Sequence, residues 1–359
     1  MSVLEQVLNF LQREIDAGVT PGAVIRVRHQ GRIVLDQALG YNCLEQGKTR
    51  MSSRHVFDMA SLTKVMVTLP AMLQLFASGE LYLHDKVSTF LPAFSVHGKD
   101  QVTVKQLLTH SSGLPAHKHY FEEKMTKEEV LASIYQEKLA YKPDTAVVYS
   151  DLGFIVLMEL IEQLSGQRIE DYAKAHIFRP LAMNDTGYMP QFERERYAPT
   201  EFVAHLNDHK YGIVHDDNTE FMGGISGHAG LFSTMNDLAV FTQMLEANGQ
   251  YGGHRIIDRN WLELSRRNFT PFSDESRGIG WQLKGDGASP AGDLLSAGTY
   301  GHTGFTGTSF YIDPQRELTV MLLTNRVYFG RHPHMIRLRP RLHNLIAVQK
   351  QEGEGLACD

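Results

Sequence analysis

Along the N-terminal stretch MSVLEQVLNFLQREIDAG, the apolar positions Val3, Val7, Leu11 and Ile15 recur every four residues, with Glu5, Gln12, Arg13 and Glu14 between them. That spacing predicts an amphipathic helix. Val24–His29 and Arg32–Gln37 are short apolar runs on either side of Gln30 and Gly31, and they predict a β-hairpin. Ser61–Gly79 is mostly apolar and ends on a glycine, so it predicts a buried helix that Pro70 should kink or break.

From about Leu81 to Thr219 the pattern is mainly helical, clearest at Val102–Leu108, Lys127–Leu139, Asp151–Leu164 and Glu170–Phe178. Asn218–Gly230 is glycine-rich and loop-like. Thr234 is placed to cap a helix running to Asn248. Strand patterns follow at Gly278–Lys284, Thr308–Ile312 and Leu318–Thr324, the last two joined by Asp313-Pro314-Gln315-Arg316, which is turn chemistry. A final helix is predicted over His334–Lys350. This order predicts an α+β fold: a sheet built from both ends of the chain, with a helical region inserted in its middle. The expected division is residues 1–80 and 225–359 for the sheet domain and 81–224 for a mainly helical domain. A cleft between them is where a ligand site is expected.

Composition adds limits. The 359 residues include 35 Lys+Arg and 41 Asp+Glu, a net charge of -6, so nucleic acid binding is not expected. The one basic cluster, Arg331–Arg341, carries aliphatic residues at helical spacing and fits a solvated helix face. Cys43 and Cys358 do not suggest a disulfide framework. No stretch approaches the ~20 apolar residues of a spanning helix. The N-terminal helix lacks the charged and apolar regions of an export signal. The expected compartment is therefore cytoplasmic if the chain begins natively here, and periplasmic or extracellular if a signal peptide was removed.

Three short motifs carry candidate chemistry. In Ser61-Leu62-Thr63-Lys64 a serine stands where a loop gives way to a helix, and Lys64 projects from the same face three residues on. A serine needs a base to become a nucleophile, and a desolvated lysine can provide one. Alone, the motif is common by chance and is better read as a helix-capping serine followed by a surface lysine. In Tyr149-Ser150-Asp151 a phenol can shuttle a proton. The plainer alternative is that Asp151 caps the following helix and Tyr149 is a half-buried aromatic. In His302-Thr303-Gly304 small residues open a strand, so that backbone can approach a ligand. A free N–H there can pair with that of Ser61 as an oxyanion hole, and His302 and Thr303 can hold a substrate carboxylate. Histidines at His117, His119, His215, His228, His332 and His334 fit no standard metal pattern, and neither a metal nor a cofactor is expected.

In this order the motifs resemble the serine β-lactamase and penicillin-binding-protein superfamily, in particular its class C β-lactamase and D-Ala-D-Ala carboxypeptidase-like branch. Leu107-Leu108-Thr109-His110-Ser111-Ser112-Gly113-Leu114-Pro115 and Gly227-His228-Ala229-Gly230-Leu231-Phe232-Ser233-Thr234 extend the resemblance over nearly the whole chain. It implies an antiparallel sheet flanked by helices and a two-step acyl transfer. Ser61 would attack an amide, ester or lactam carbonyl. Lys64 and Tyr149 would share acid and base work, and the N–H groups of Ser61 and Phe305 would bind the oxyanion. Asp151, His302, Thr303 and Gly304 would contact substrate.

Two positions depart from the family pattern. Asp151 replaces the usual asparagine; it should pair with Lys64, raise the lysine pKa and shift base work to Tyr149. His302 replaces the usual lysine; near pKa 6.5 it should give weaker or pH-dependent carboxylate binding. The expected activity is therefore a D-amino-acid peptidase or carboxypeptidase, or an esterase, with a class C-like β-lactamase and a non-catalytic penicillin-binding sensor or scaffold as alternatives. Expected partners are small molecules or short peptides, β-lactams among them. The oligomeric state is left open.

Overall fold

The structure is a computed structural model that describes residues 3–45, 48–331 and 333–348. Cys358, His332 and the last two residues of the expected C-terminal helix lie outside the described residues. The N-terminal helix α1 spans Val3–Asp16, and β1 (Gly22–His29) and β2 (Arg32–Cys43) form the expected hairpin. Both turn residues, Gln30 and Gly31, have positive φ (51° and 74°), the twist that a two-residue hairpin loop requires. The strands β3 (Thr49–Arg50), β4 (Gln282–Leu283), β5 (Tyr300–Thr303), β6 (Ser309–Asp313) and β7 (Leu318–Thr324) complete one antiparallel sheet in the order β4-β5-β6-β7-β1-β2-β3. In it β1 pairs with β7, Val24 opposite Leu323, so the two ends of the chain meet at the sheet centre.

Helices cover both faces of β1. Ala23, Ile25 and Val27 pack in one cluster with α1 and the C-terminal helix, here α5 (His334–Val348), while Val24 joins the main core. Arg26 and Arg28 share the Val24 face and meet Asn236 and Glu246 of α4 (Met235–Glu246). Thr234 caps α4 as expected, its side chain accepting from the Asp237 N–H.

Several predicted elements end or break differently. Ser61–Gly79 is three helical geometries in series: a 3-10 turn at Ala60–Leu62, a π-helical turn at Lys64–Thr68, and the α-helix α2 at Leu69–Ala77. Pro70 lies where the π turn passes into α2, and the helical backbone runs on through it without the expected break. The segment Ala60–Ala77 is long and apolar enough to span a membrane by composition, contrary to expectation, but 83% of it is buried within the protein. The strand expected over Gly278–Lys284 shrinks to Gln282–Leu283. Gly280 turns with φ 74°, and the Gly278 N–H closes onto the Trp281 carbonyl.

The four helices expected most clearly between the two halves of the sheet are observed at Val104–Leu108, Lys127–Gln136, α3 (Asp151–Ser165) and Ile169–Ala173, the last continuing as a π turn over Lys174–Phe178. After them come short β-pairs, of which Gly187–Tyr188 joins Leu231–Ser233. Inside the expected loop 218–230, Asp217–Phe221 forms a helical turn capped by Asp216.

Candidate active site

The backbone before Ser61 is held in an uncommon conformation. Phe57–Asp58 pairs with Leu231–Ser233, and the chain then turns at Ala60, a non-glycine residue at φ 45°. Such a residue persists only where its surroundings fix it. Here the Ala60 N–H donates to Asp58 Oδ1 at 2.8 Å, and Thr63 Oγ1 donates to the Ala60 carbonyl at 2.6 Å. Ser61 follows, half-buried, within the 3-10 turn.

Lys64 is fully buried and uses all three ammonium protons. It donates to Ser61 Oγ at 3.2 Å, to Asp151 Oδ1 at 2.7 Å and to the His228 carbonyl at 3.3 Å. The ammonium also sits 4.7 Å from the Tyr149 ring centroid and 5.6 Å from that of Phe154. Burial pulls the Lys64 pKa down, but Asp151 and then Tyr149 outweigh it, and the net shift is upward. Lys64 is therefore a charged donor towards Ser61 Oγ.

Ser150, not Asp151, caps α3: its Oγ accepts from the Gly153 N–H and donates to the Pro115 carbonyl. That corrects the capping alternative and leaves Asp151, the first residue of the helix, free to face Lys64. The other carboxylate oxygen, Oδ2, lies 3.4 Å from His117 Nδ1. Burial raises the Asp151 pKa, but Lys64 and His228 lower it further, to well below the usual carboxylate range. Tyr149 is half-buried, between His110 (ring centroids 4.5 Å apart) and His302 (5.9 Å), with the Arg277 guanidinium 5.3 Å from its ring. Its hydroxyl is buried without a hydrogen bond.

The opposite wall is β5 and the turn after it. His302 is 2% exposed, and its Nδ1–H donates to the Thr303 carbonyl at 2.8 Å. Burial, then Arg277 and Lys64, depress its pKa well below the ordinary value. This corrects the expectation of a histidine titrating near pH 6.5: His302 is a neutral group at physiological pH. Thr303 is half-buried beside it. At Gly304 a Cβ would lie 2.1 Å from Thr308 Oγ1 and 2.6 Å from the Met59 carbonyl, so only glycine lets this turn lie against the strand leading to Ser61. Thr306 Oγ1 and Thr308 Oγ1 stitch the turn to the carbonyls of Asp58 and Met59. Among the described residues no acceptor takes the Phe305 N–H. The Phe305 ring is exposed and stacks on His215.

The structure adds residues that the motifs did not indicate. His110 Nδ1 accepts the Ser150 N–H at 3.0 Å and fixes the turn that carries Tyr149; the Leu107–Pro115 segment was its only signal. His228 pairs with Ser226 Oγ and with Asp216 Oδ1, contacts that pack its own loop. Arg277 has no sequence signal, since it gains its neighbours only through the fold. Arg339 corrects the reading of Arg331–Arg341 as a solvated helix face: it is 7% exposed and donates to the Gly304 and Thr308 carbonyls. Among the described residues, no group of three or more His, Cys, Asp or Glu side chains is placed to hold a metal ion.

Residues 9–342 match the model of the Beta-lactamase family. The chain is 34% identical over 364 residues to a Bacillus subtilis (strain 168) protein named N-acetylmuramyl-L-alanine amidase, covering 90% of this chain and 81% of that protein. It is 31% identical over 382 residues to a Salmonella typhi protein named as a candidate D-alanyl-D-alanine carboxypeptidase, covering 96% of this chain and 86% of that one. Among solved structures, simvastatin synthase (LovD) from Aspergillus terreus is similar with a TM-score of 0.76, 18% identity and coverage of 98% of this chain and 100% of that chain. EstCE1, described as a hydrolase with promiscuous acyltransferase activity, has a TM-score of 0.75, 23% identity and coverage of 94% and 98%. At such identities the two structures show the shared fold. The chain belongs to the beta-lactamase family, within the serine β-lactamase and penicillin-binding-protein superfamily, and is a serine hydrolase.

Proposed function

We propose that Ser61 is the nucleophile of a two-step acyl transfer, in a cleft between a sheet domain (residues 1–80 and 225–359) and a mainly helical domain (81–224). The observation that carries this reading is Lys64 Nζ at 3.2 Å from Ser61 Oγ, with the Asp151 carboxylate behind it at 2.7 Å. Ser61 Oγ attacks the substrate carbonyl carbon. Tyr149 relays the serine proton to the leaving group, while Lys64 stays charged and orients Oγ. The N–H groups of Ser61 and Phe305 stabilise the oxyanion. Water then attacks the acyl-enzyme, and the acid is released with Ser61 restored.

Substrates are small molecules or short peptides: a D-amino-acid peptide or a small ester, with β-lactams as ligands of the same site. The names of the Bacillus and Salmonella relatives support amide and peptide substrates. Neutral His302 in place of a cation supports a weaker claim on the substrate carboxylate, and so a peptidase or esterase ahead of a β-lactamase. With Asp151 oxygens facing Lys64 and His117, Thr303 and the Gly304 backbone carry more of the substrate contact. A class C-like β-lactamase is the second reading, favoured by the family match over residues 9–342.

The test is mass spectrometry of the intact protein after incubation with benzylpenicillin, a D-Ala-D-Ala peptide and a p-nitrophenyl ester. A peptidase gives a long-lived penicillin adduct on Ser61 and turns over the peptide. A β-lactamase loses the penicillin adduct rapidly, and an esterase turns over only the ester. An adduct that never turns over with any of the three supports the sensor. No adduct on Ser61 with any of them overturns the reading.

A further inference from the structure

Arg339 is 7% exposed in α5, yet among the described residues no carboxylate lies within ion-pair distance of it. A buried guanidinium without a counter-charge is costly unless its hydrogen bonds do something in return. Its Nη2 donates to two carbonyls, those of Gly304 and Thr308, each at 3.0 Å. Those carbonyls are themselves tied into the turn, since Thr308 O accepts the Gly304 N–H at 2.7 Å and Gly304 O accepts the Gly307 N–H at 3.1 Å.

The Gly304 carbonyl and the Phe305 N–H belong to one peptide plane. A trans peptide directs its C=O and N–H to opposite sides, and no cis bond is present among the described residues. Holding the oxygen from the α5 side therefore turns the N–H to the opposite side. Hydrogen bonding to an amide oxygen also draws electron density off the nitrogen and makes the N–H a stronger donor. On the next peptide, Arg326 Nε donates to the Phe305 carbonyl at 2.6 Å, so both carbonyls bracketing Phe305 are held by arginines.

We propose that Arg339 is a positioning residue for the oxyanion hole, fixing and polarising the Gly304–Phe305 peptide so that its N–H meets the developing oxyanion on the substrate acylating Ser61. This rests on the assignment of Ser61 as nucleophile. Arg339 touches no substrate; it acts through the peptide, and its effect belongs to the transition state rather than to ground-state binding.

The experiment compares wild type, Arg339→Met and Arg339→Lys with p-nitrophenyl acetate and with phenylboronic acid, which forms a tetrahedral adduct on a nucleophilic serine. Arg339→Met should lower kcat by about 10–100-fold, less than deletion of a whole oxyanion donor, with KM within about threefold. Boronate affinity should fall by a similar factor. Arg339→Lys keeps a charged donor and should recover part of the loss in both readouts, even where its melting temperature falls as far as that of Arg339→Met. The proposal is overturned if kcat and boronate affinity stay within threefold of wild type, if the loss is confined to KM, or if the lysine and methionine variants are equally impaired. Should Arg339→Met not fold, Arg339→Lys and Arg339→Gln make the same comparison, the neutral glutamine taking the place of methionine. A wild-type protein that forms no Ser61 adduct removes the nucleophile assignment and this proposal together. Normal wild-type acylation with unimpaired Arg339 variants removes this one alone.

Discussion

The two sides of the candidate site are built differently. Each carries a buried cation, Lys64 on one and Arg339 on the other. On the helical wall Lys64 is matched by a carboxylate, Asp151, and the serine is reached through irregular 3-10 and π turns. On the strand wall Arg339 is matched only by peptide carbonyls, and the backbone is a regular strand with a tight turn. A lysine that must stay charged in a dry site needs a counter-charge, because burial otherwise favours its neutral form. An arginine keeps its charge far more firmly, so carbonyl dipoles suffice; burial lowers the Arg339 pKa only to about 10. The difference teaches that charge pairing sets protonation on one wall, whereas donor geometry is set on the other.

The sharpest way to break this contrast is at the serine itself. Ser61→Ala should reduce ester turnover by about 10⁴-fold or more while leaving the melting temperature near wild type; retained turnover would place the chemistry elsewhere. Next is the Lys64–Asp151 pair. Asp151→Ala strands a buried ammonium and should cost about 3–5 kcal/mol in urea unfolding. Asp151→Asn keeps a hydrogen-bond acceptor and should cost less. With the opposing charge gone, burial lowers the Lys64 pKa, so the alkaline limb of kcat/KM should move to lower pH. An unmoved limb would show that the pair does not set the lysine charge.

On the strand wall no group needs to titrate, so geometric change should dominate. Gly304→Ala introduces a Cβ into contact with Thr308 and Met59 and should cost about 1–3 kcal/mol through overpacking. The expected accompaniment is a loss in kcat with no change in the pH profile, read from stopped-flow ester hydrolysis.

The smallest effect belongs to His117 at the rim of the helical wall. The hydrogen bond that His117 donates to Asp151 leads over burial, and the His117 pKa is raised. A raised histidine stabilises the fold below its unfolded pKa near 6.5, and this contribution is lost as pH rises through the folded value. The melting-temperature difference between wild type and His117→Ala should thus be larger at pH 5.5 than at pH 9. The effect should stay under about 1 kcal/mol because the imidazole is partly solvated. An equal difference at both pH values would mean that only ring packing was lost.

Much of this architecture was visible along the chain. The four-residue repeat of α1, the Gln30-Gly31 hairpin and the Thr234 cap rest on local periodicity and turn chemistry, and each appears in the structure. The helix expected from Ser61 was harder. Its apolar run says only that it is buried, and the 3-10 and π turns fall where Asp58 and Thr63 hold Ala60 and Asp151 holds Lys64, contacts that no local pattern encodes. The strand expected at Gly278 failed because two glycines permitted a turn that the alternating pattern could not exclude.

What the sequence determined by itself is the set of candidate side chains and their order, because Ser61 and Lys64 are local neighbours on one helical turn and the strand motif carries its own turn residues. It also flagged Asp151 as a partner for Lys64. Only the tertiary structure decided their charge states and the direction of their donors. His302 is neutral because it is buried beside Arg277 and Lys64, and Lys64 is charged because a helix starting 87 residues later delivers a carboxylate to it. The Phe305 peptide is turned by an arginine from the last helix. Desolvation and long-range pairing depend on which surfaces the fold brings together, and no local pattern encodes them.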